Sequence, residues 1–97
     1  MMLLNKIQQQ KEVIETLAKD YGAKNIRVFG SVARGEEQEN SDIDFLVQFP
    51  KGYDLFKQRI PLMQSLQQLL KRKVDLIPEH ELNKHLRDTI LAEAIEL

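Results

Sequence analysis

Cysteine is absent from the 97 residues. This excludes disulfides and thiolate metal sites and is compatible with a reducing compartment. An excess of basic charge is also lacking: fourteen Lys and Arg stand against fifteen Asp and Glu, a formal charge of −1. A chain that neutralises phosphates along DNA or RNA needs such an excess, so direct nucleic-acid binding is not expected. Long apolar runs are missing too. The N-terminal stretch Met1 to Leu4 is too short for a signal peptide or a membrane span, and later apolar stretches are broken by charge. A cytoplasmic protein without membrane contact is the expectation. What remains is ordinary for a globular protein, with 42% hydrophobic and 30% charged residues. One domain over 1–97 is expected, with no internal repeat or linker. A chain of this size buries roughly 60–65% of its unfolded surface, enough for a small core without staples.

Against that background, Ser41-Asp42-Ile43-Asp44-Phe45-Leu46-Val47 stands out. A strand alternates its side chains, so Asp42 and Asp44 face the same way, roughly 6.5–7 Å apart along the chain. Two carboxylates on one face repel each other and gain nothing from an apolar core. A divalent metal between them explains the pattern, since Mg²⁺ takes carboxylate oxygens and keeps other positions for water and phosphate. Upstream lies Phe29-Gly30-Ser31-Val32-Ala33-Arg34-Gly35. A Gly-Ser turn that leaves a strand and opens a helix offers backbone N–H groups and a hydroxyl to phosphate. Together the two stretches read as a site for a nucleoside triphosphate and metal.

Hydrophobic periodicity places these motifs. Residues 3–20 read as one helix, with Leu3, Ile7, Ile14, Leu17, Ala18 and Tyr21 on one face and Gly22 suited to its C-terminal cap. Residues 25–29 form a strand, and 31–34 a turn or short helix closed by Gly35. Residues 36–40 form a polar loop and 42–49 a second strand. Asp54 caps a helix to about Leu70, which Pro61 kinks or restarts. A third strand spans 73–77, and a helix follows from Glu79, with Leu82, Leu86, Ile90, Ala94 and Leu97 on one side. Leu91 and Ile95 make that last helix apolar on a second side, which suits packing between two surfaces.

Gly30-Ser31-Val32-Ala33-Arg34-Gly35 followed by Ser41-Asp42-Ile43-Asp44-Phe45-Leu46-Val47 resembles the signature of the DNA polymerase β-like nucleotidyltransferase superfamily. The short form is similar to the minimal nucleotidyltransferases, usually the antitoxin half of a pair whose toxin is a HEPN-domain ribonuclease. With Asp75 included, the resemblance covers nearly the whole chain and departs from the pattern at no signature position. It implies an α/β (α+β) nucleotidyltransferase fold, a small three-stranded mixed sheet packed with helices in the order α-β-α-β-α-β-α. If Gly30-Ser31 and Asp42 meet one nucleotide, the first two strands run antiparallel. If Asp75 joins Asp42 and Asp44, the second and third run parallel, with the 54–70 helix as their crossover.

The resemblance implies an enzyme that transfers AMP from ATP to a hydroxyl, most simply a tyrosine of the HEPN toxin, and so neutralises it in a hetero-oligomer. Two Mg²⁺ ions, or Mn²⁺ in their place, would offset charge at the attacking and leaving oxygens. Asp42 and Asp44 would hold one, and Asp44 and Asp75 the other. Asp75 is also a candidate base toward the attacking hydroxyl. Gly30 and Ser31 would hold the terminal phosphates. Arg34 either contacts phosphate or pairs with an acid to brace the turn.

Blander readings exist for each residue alone. Ser31 could be only an N-cap, Asp44 could pair with an arginine, and His80 and His85 are surface residues with no partner ligands. Lys71-Arg72-Lys73 reads as a solvated loop or as an attractor for nucleotide or an acidic partner. Two other functions stay open: an antitoxin that acts by binding alone, with a non-catalytic nucleotide site, and a nucleotidyltransferase for a small molecule.

Overall fold

No glycine or proline interrupts residues 3–20, yet the chain does not run through them as one helix. The computed structural model describes residues 2–97. Helix α1 spans Leu3–Gln9 and α2 spans Lys11–Asp20, separated at Gln10 with φ −98° and ψ 15°. The two halves pack against different neighbours, α1 against the short helix α3 (Gly30–Arg34) and α2 against the first strand and α4 (Ile60–Leu70). That divergence overrides the helical preference of the exposed glutamines between them. Helix α2 stops at a glycine cap. Gly22 takes φ +79°, the Gly22 N–H donates to the Lys19 carbonyl at 3.0 Å, and the Ala23 N–H donates to that of Ala18 at 2.8 Å.

The sheet is built from β1 (Lys24–Phe29), β2 (Ile43–Gln48), β3 (Val74–Pro78) and a two-residue β4 (Ile95–Glu96), in the order β3-β2-β1-β4. Strands β1 and β2 are antiparallel, and β2 and β3 are parallel, as the placement of the motifs requires. The connection from β2 to β3 contains a π-helical turn, Leu55–Arg59, and then α4. Asp54 caps that turn, its carboxylate accepting from the Phe56 and Lys57 N–H groups at 2.9 Å each. Pro61 lies in the first turn of α4, where its missing N–H costs nothing.

Two further expectations need correction. The sheet has four strands, not three, because β4 pairs antiparallel with the free edge of β1. The helix expected from Glu79 onward is also much shorter. Glu79–Glu81 is a single 3₁₀ turn, α5 covers only Arg87–Glu93, and Ala94 is already extended. The element order is therefore α-α-β-α-β-α-β-α-β. The unpaired N–H and C=O groups along β1 give the chain end a better use than another helical turn.

The core lies on one face of the sheet. Ile43, Phe45 and Val47 of β2 join Ile26 and Val28 of β1, Val74 and Leu76 of β3, and Ile7, Ile14, Leu62 and Leu66 of the helices, all buried. Residues of opposite parity in β2, including Asp44, project from the other face. Among the described residues no helix is long and apolar enough to cross a membrane.

Candidate active site

Strand alternation and register bring the three aspartates to one edge. Asp44 stands directly beside Asp75 across the parallel β2–β3 pair. Asp42 lies two residues earlier, just before β2 begins. Residues paired in this way sit about 5 Å apart and share a face of the sheet. Asp42 and Asp75 are exposed and Asp44 is half-buried. On its other side, β2 pairs Asp44 with Phe29, the last residue of β1, so the Gly30 turn follows immediately beside it. The antiparallel β1–β2 pairing thus delivers Gly30 and Ser31 to the carboxylates.

Gly30 holds φ +77° and is buried. A Cβ at this position would run into the Asp44 carboxylate, so the turn and the acid are fitted to each other. Ser31 follows as the second residue of α3, half-buried. Gly35 ends that helix in the left-handed region at φ +71°.

The electrostatics are those of crowded acids. The Asp44 carboxyl is pushed up to about 6 by burial first, then by the charges of Asp75, Asp42 and Glu93, with Arg34 opposing. Among the described residues no arginine pairs directly with Asp44, and Arg34, the cation that opposes its shift, is committed elsewhere. Arg34 donates to Glu36 at 2.6 Å and to Glu93 at 2.5 Å, so it braces the turn between two acids. Glu93, at the end of α5, also accepts the Gly30 N–H at 2.8 Å. Burial works to raise the Glu93 carboxyl, but the Arg34 guanidinium and the Gly30 N–H outweigh it and hold the group below the usual glutamate range.

Among the described residues, no three His, Cys, Asp or Glu side chains are gathered closely enough to hold a metal ion by themselves. The donor set still fits a hard divalent cation. It consists of carboxylates only, with Asp44 among them raised in pKa by burial and by its acidic neighbours, and Mg²⁺ habitually takes one or two carboxylates and fills its shell with water and substrate phosphate. Asp42, Asp44 and Asp75 could hold such an ion once phosphate oxygens complete the shell.

Two residues invisible to sequence reasoning shape this edge. Arg72 donates to the carbonyls of Ser41 (3.0 Å), Gln38 (2.8 Å) and Glu39 (2.5 Å), fixing the loop that leads into Asp42. In the sequence it stands only as part of the basic stretch Lys71-Arg72-Lys73. Glu93 gave no signal at all, being one acid on an amphipathic helix. His80 and His85 are exposed, as expected. A cavity of about 250 Å³ lies beside Asp42, lined also by Arg72 and Lys73. A larger cleft of about 440 Å³ lies at the other end of β2 and β3, between Gln48, Lys51, Glu79 and Arg87, away from the carboxylates.

Comparison with known proteins identifies the family and the fold. Residues 10–97 match the family model described as "Nucleotidyltransferase domain". A provisionally named protein adenylyltransferase of Methanocaldococcus jannaschii is 36% identical over 96 residues, 99% of both chains. The protein adenylyltransferase MntA of Thermococcus cleftensis is 39% identical over 79 residues, 81% of this chain and 79% of that one. Among solved structures, a protein described as a minimal nucleotidyltransferase superposes with TM-score 0.86 and 41% identity, over 100% of this chain and 97% of that one. A chain of a toxin–antitoxin crystal structure with AMP-PNP superposes with TM-score 0.74 and 27% identity, over 89% of this chain and 70% of that one. With the triad, the glycine turn and the mixed sheet all in place, the chain belongs to the nucleotidyltransferase family, among relatives that bear the name protein adenylyltransferase.

Proposed function

We propose that this chain transfers AMP from ATP to a tyrosine hydroxyl of a HEPN ribonuclease toxin, and that it thereby acts as the antitoxin of a cytoplasmic pair. The observation that carries the reading is the register of Asp44 beside Asp75, with Asp42 and the Gly30 turn at the same sheet edge. The toxin–antitoxin and AMP-PNP descriptions of a structural neighbour support the partner class and the nucleotide.

The acceptor oxygen attacks the α-phosphorus, the bond to the β-phosphate breaks, and pyrophosphate leaves. Asp75, exposed at the start of β3, takes the hydroxyl proton, provided the hydroxyl comes within hydrogen-bond reach. Asp42 and Asp44 would hold the divalent cation that accompanies the triphosphate, with Asp75 at the same edge. Gly30 N–H and the Ser31 hydroxyl hold the terminal phosphates, with Arg34 as a further candidate. When bound, Mg²⁺, as two ions or with Mn²⁺ in their place, would supply charge neutralisation at the attacking and leaving oxygens.

The test pairs the protein with the product of its neighbouring gene, Mg²⁺ and ATP labelled at the α-phosphate, beside the Asp44→Asn variant, and reads the intact mass of both chains. An added AMP on the partner, lost in the variant, is the expected outcome. A silenced partner that carries no added mass would instead make this an antitoxin that acts by binding alone.

A further inference from the structure

Two of the donors assigned to the triphosphate, the Gly30 N–H and Arg34, are already engaged. The Glu93 carboxylate takes the Gly30 N–H on one oxygen at 2.8 Å and the Arg34 guanidinium on the other at 2.5 Å. It does so beside three aspartates, and its charge helps to raise the carboxyl of Asp44. A fourth acid at this edge adds to the repulsion on Asp44, and its two oxygens occupy donors that suit two oxygens of a phosphate. Arg87 ties the start of the segment that carries it to Glu79, but the far end has few ties. Helix α5 has seven residues and none of them is buried, and β4 beyond it pairs with β1 at only two positions. Arg34 also makes a separate bond to Glu36 at 2.6 Å, through an atom that Glu93 does not use.

We infer that Glu93 is an internal competitor of the nucleotide: it occupies the Gly30 N–H and Arg34 in the free protein, and the triphosphate must displace it to bind. The inference rests on the nucleotide site proposed above and adds its regulation. Glu93 lowers nucleotide affinity, and nucleotide binding releases the end of α5 and loosens β4. Any partner that draws α5 away from the site then favours nucleotide binding, by linkage.

The experiment titrates wild type, Glu93→Gln and Glu93→Asp with α,β-methylene-ATP and Mg²⁺ by calorimetry. In wild type it also follows amide exchange at residues 95–97 with and without saturating nucleotide. Glu93→Gln binds on the order of tenfold tighter, because the charged hydrogen bonds that compete are gone. Glu93→Asp, too short to reach both donors, lies between it and wild type. Exchange at 95–97 in wild type speeds up when nucleotide binds. Equal or weaker binding by both variants, or exchange at 95–97 unchanged or slower, makes Glu93 a simple brace and overturns the inference. Failure of all three proteins to bind would be a different result, removing the nucleotide site itself and this inference with it.

Discussion

At the scale of single residues, Asp44 bears the cost of the site. Burial and the neighbouring carboxylates raise its pKa from 3.8 to about 6, so the folded chain holds this proton more tightly than the unfolded chain does. Stability therefore falls as pH rises from about 4 to about 6 and stays reduced above that. Asp44→Asn removes the penalty. In the presence of a chelator at pH 7.5 the variant should melt a few degrees higher than wild type, roughly 1 kcal/mol after screening by solvent is discounted. At pH 4 the difference should vanish. Thermal melts at the two values check this, and an equal melting point at pH 7.5 would remove the repulsion account. A substitution that stabilises the chain while abolishing transfer marks an acid kept for function and not for folding.

Among elements, the junction of β1 with α3 matters most, because it sets the glycine turn against the carboxylates of β2. Gly30→Ala introduces a Cβ at φ +77° directly against Asp44. The backbone strain alone should cost about 1–3 kcal/mol. The displaced Asp44 should also weaken Mg²⁺–nucleotide binding at least tenfold, an order-of-magnitude expectation for a lost charged contact. Urea unfolding and calorimetry read the two effects separately, and normal nucleotide affinity in Gly30→Ala would show that the turn does not govern the acid. This junction was legible in the sequence, because Phe29-Gly30-Ser31 and Asp42-Ile43-Asp44 are local patterns with a local meaning. Glu93 was not legible, since it meets Gly30 from 63 residues away. Arg72 reaches the 38–41 loop from more than thirty residues away and was equally hidden.

Across the whole molecule, the end of the sheet opposite the carboxylates is tied by Glu79. Its carboxylate receives Arg27 of β1 at 2.6 Å, Gln48 of β2 at 3.1 Å and Arg87 of α5 at 3.4 Å. Arg27 is only 8% exposed, so this is a largely buried charge that needs its partner. The hydrogen bond from Arg27 dominates and holds the Glu79 carboxyl below the usual glutamate range, against the effect of burial. Its contribution is thus fully present above the unfolded glutamate pKa and is lost as pH falls through the lowered folded value. Glu79→Gln should destabilise the chain by about 3 kcal/mol at neutral pH by leaving Arg27 unpaired. Urea unfolding at pH 7 should show the loss, and at strongly acid pH the two proteins should converge.

The sequence by itself determined β1, β2 and β3, their relative directions, the caps at Gly22, Gly35 and Asp54, and the grouping of Asp42, Asp44, Asp75, Gly30 and Ser31. Each of these follows from a short-range rule: side-chain alternation, the conformational freedom of glycine, or the ordering of two motifs about one ligand. Only the tertiary structure decided where helices give way. Residues 3–20 are helical by preference, but the two halves pack on different elements and part at Gln10. Leu91 to Leu97 reads as helix by periodicity, but the open edge of β1 supplies hydrogen-bond partners that local preference cannot anticipate, and Ile95–Glu96 becomes a strand. The same docking brings Glu93 to the Gly30 turn, because only the folded chain places the end of α5 beside the start of α3.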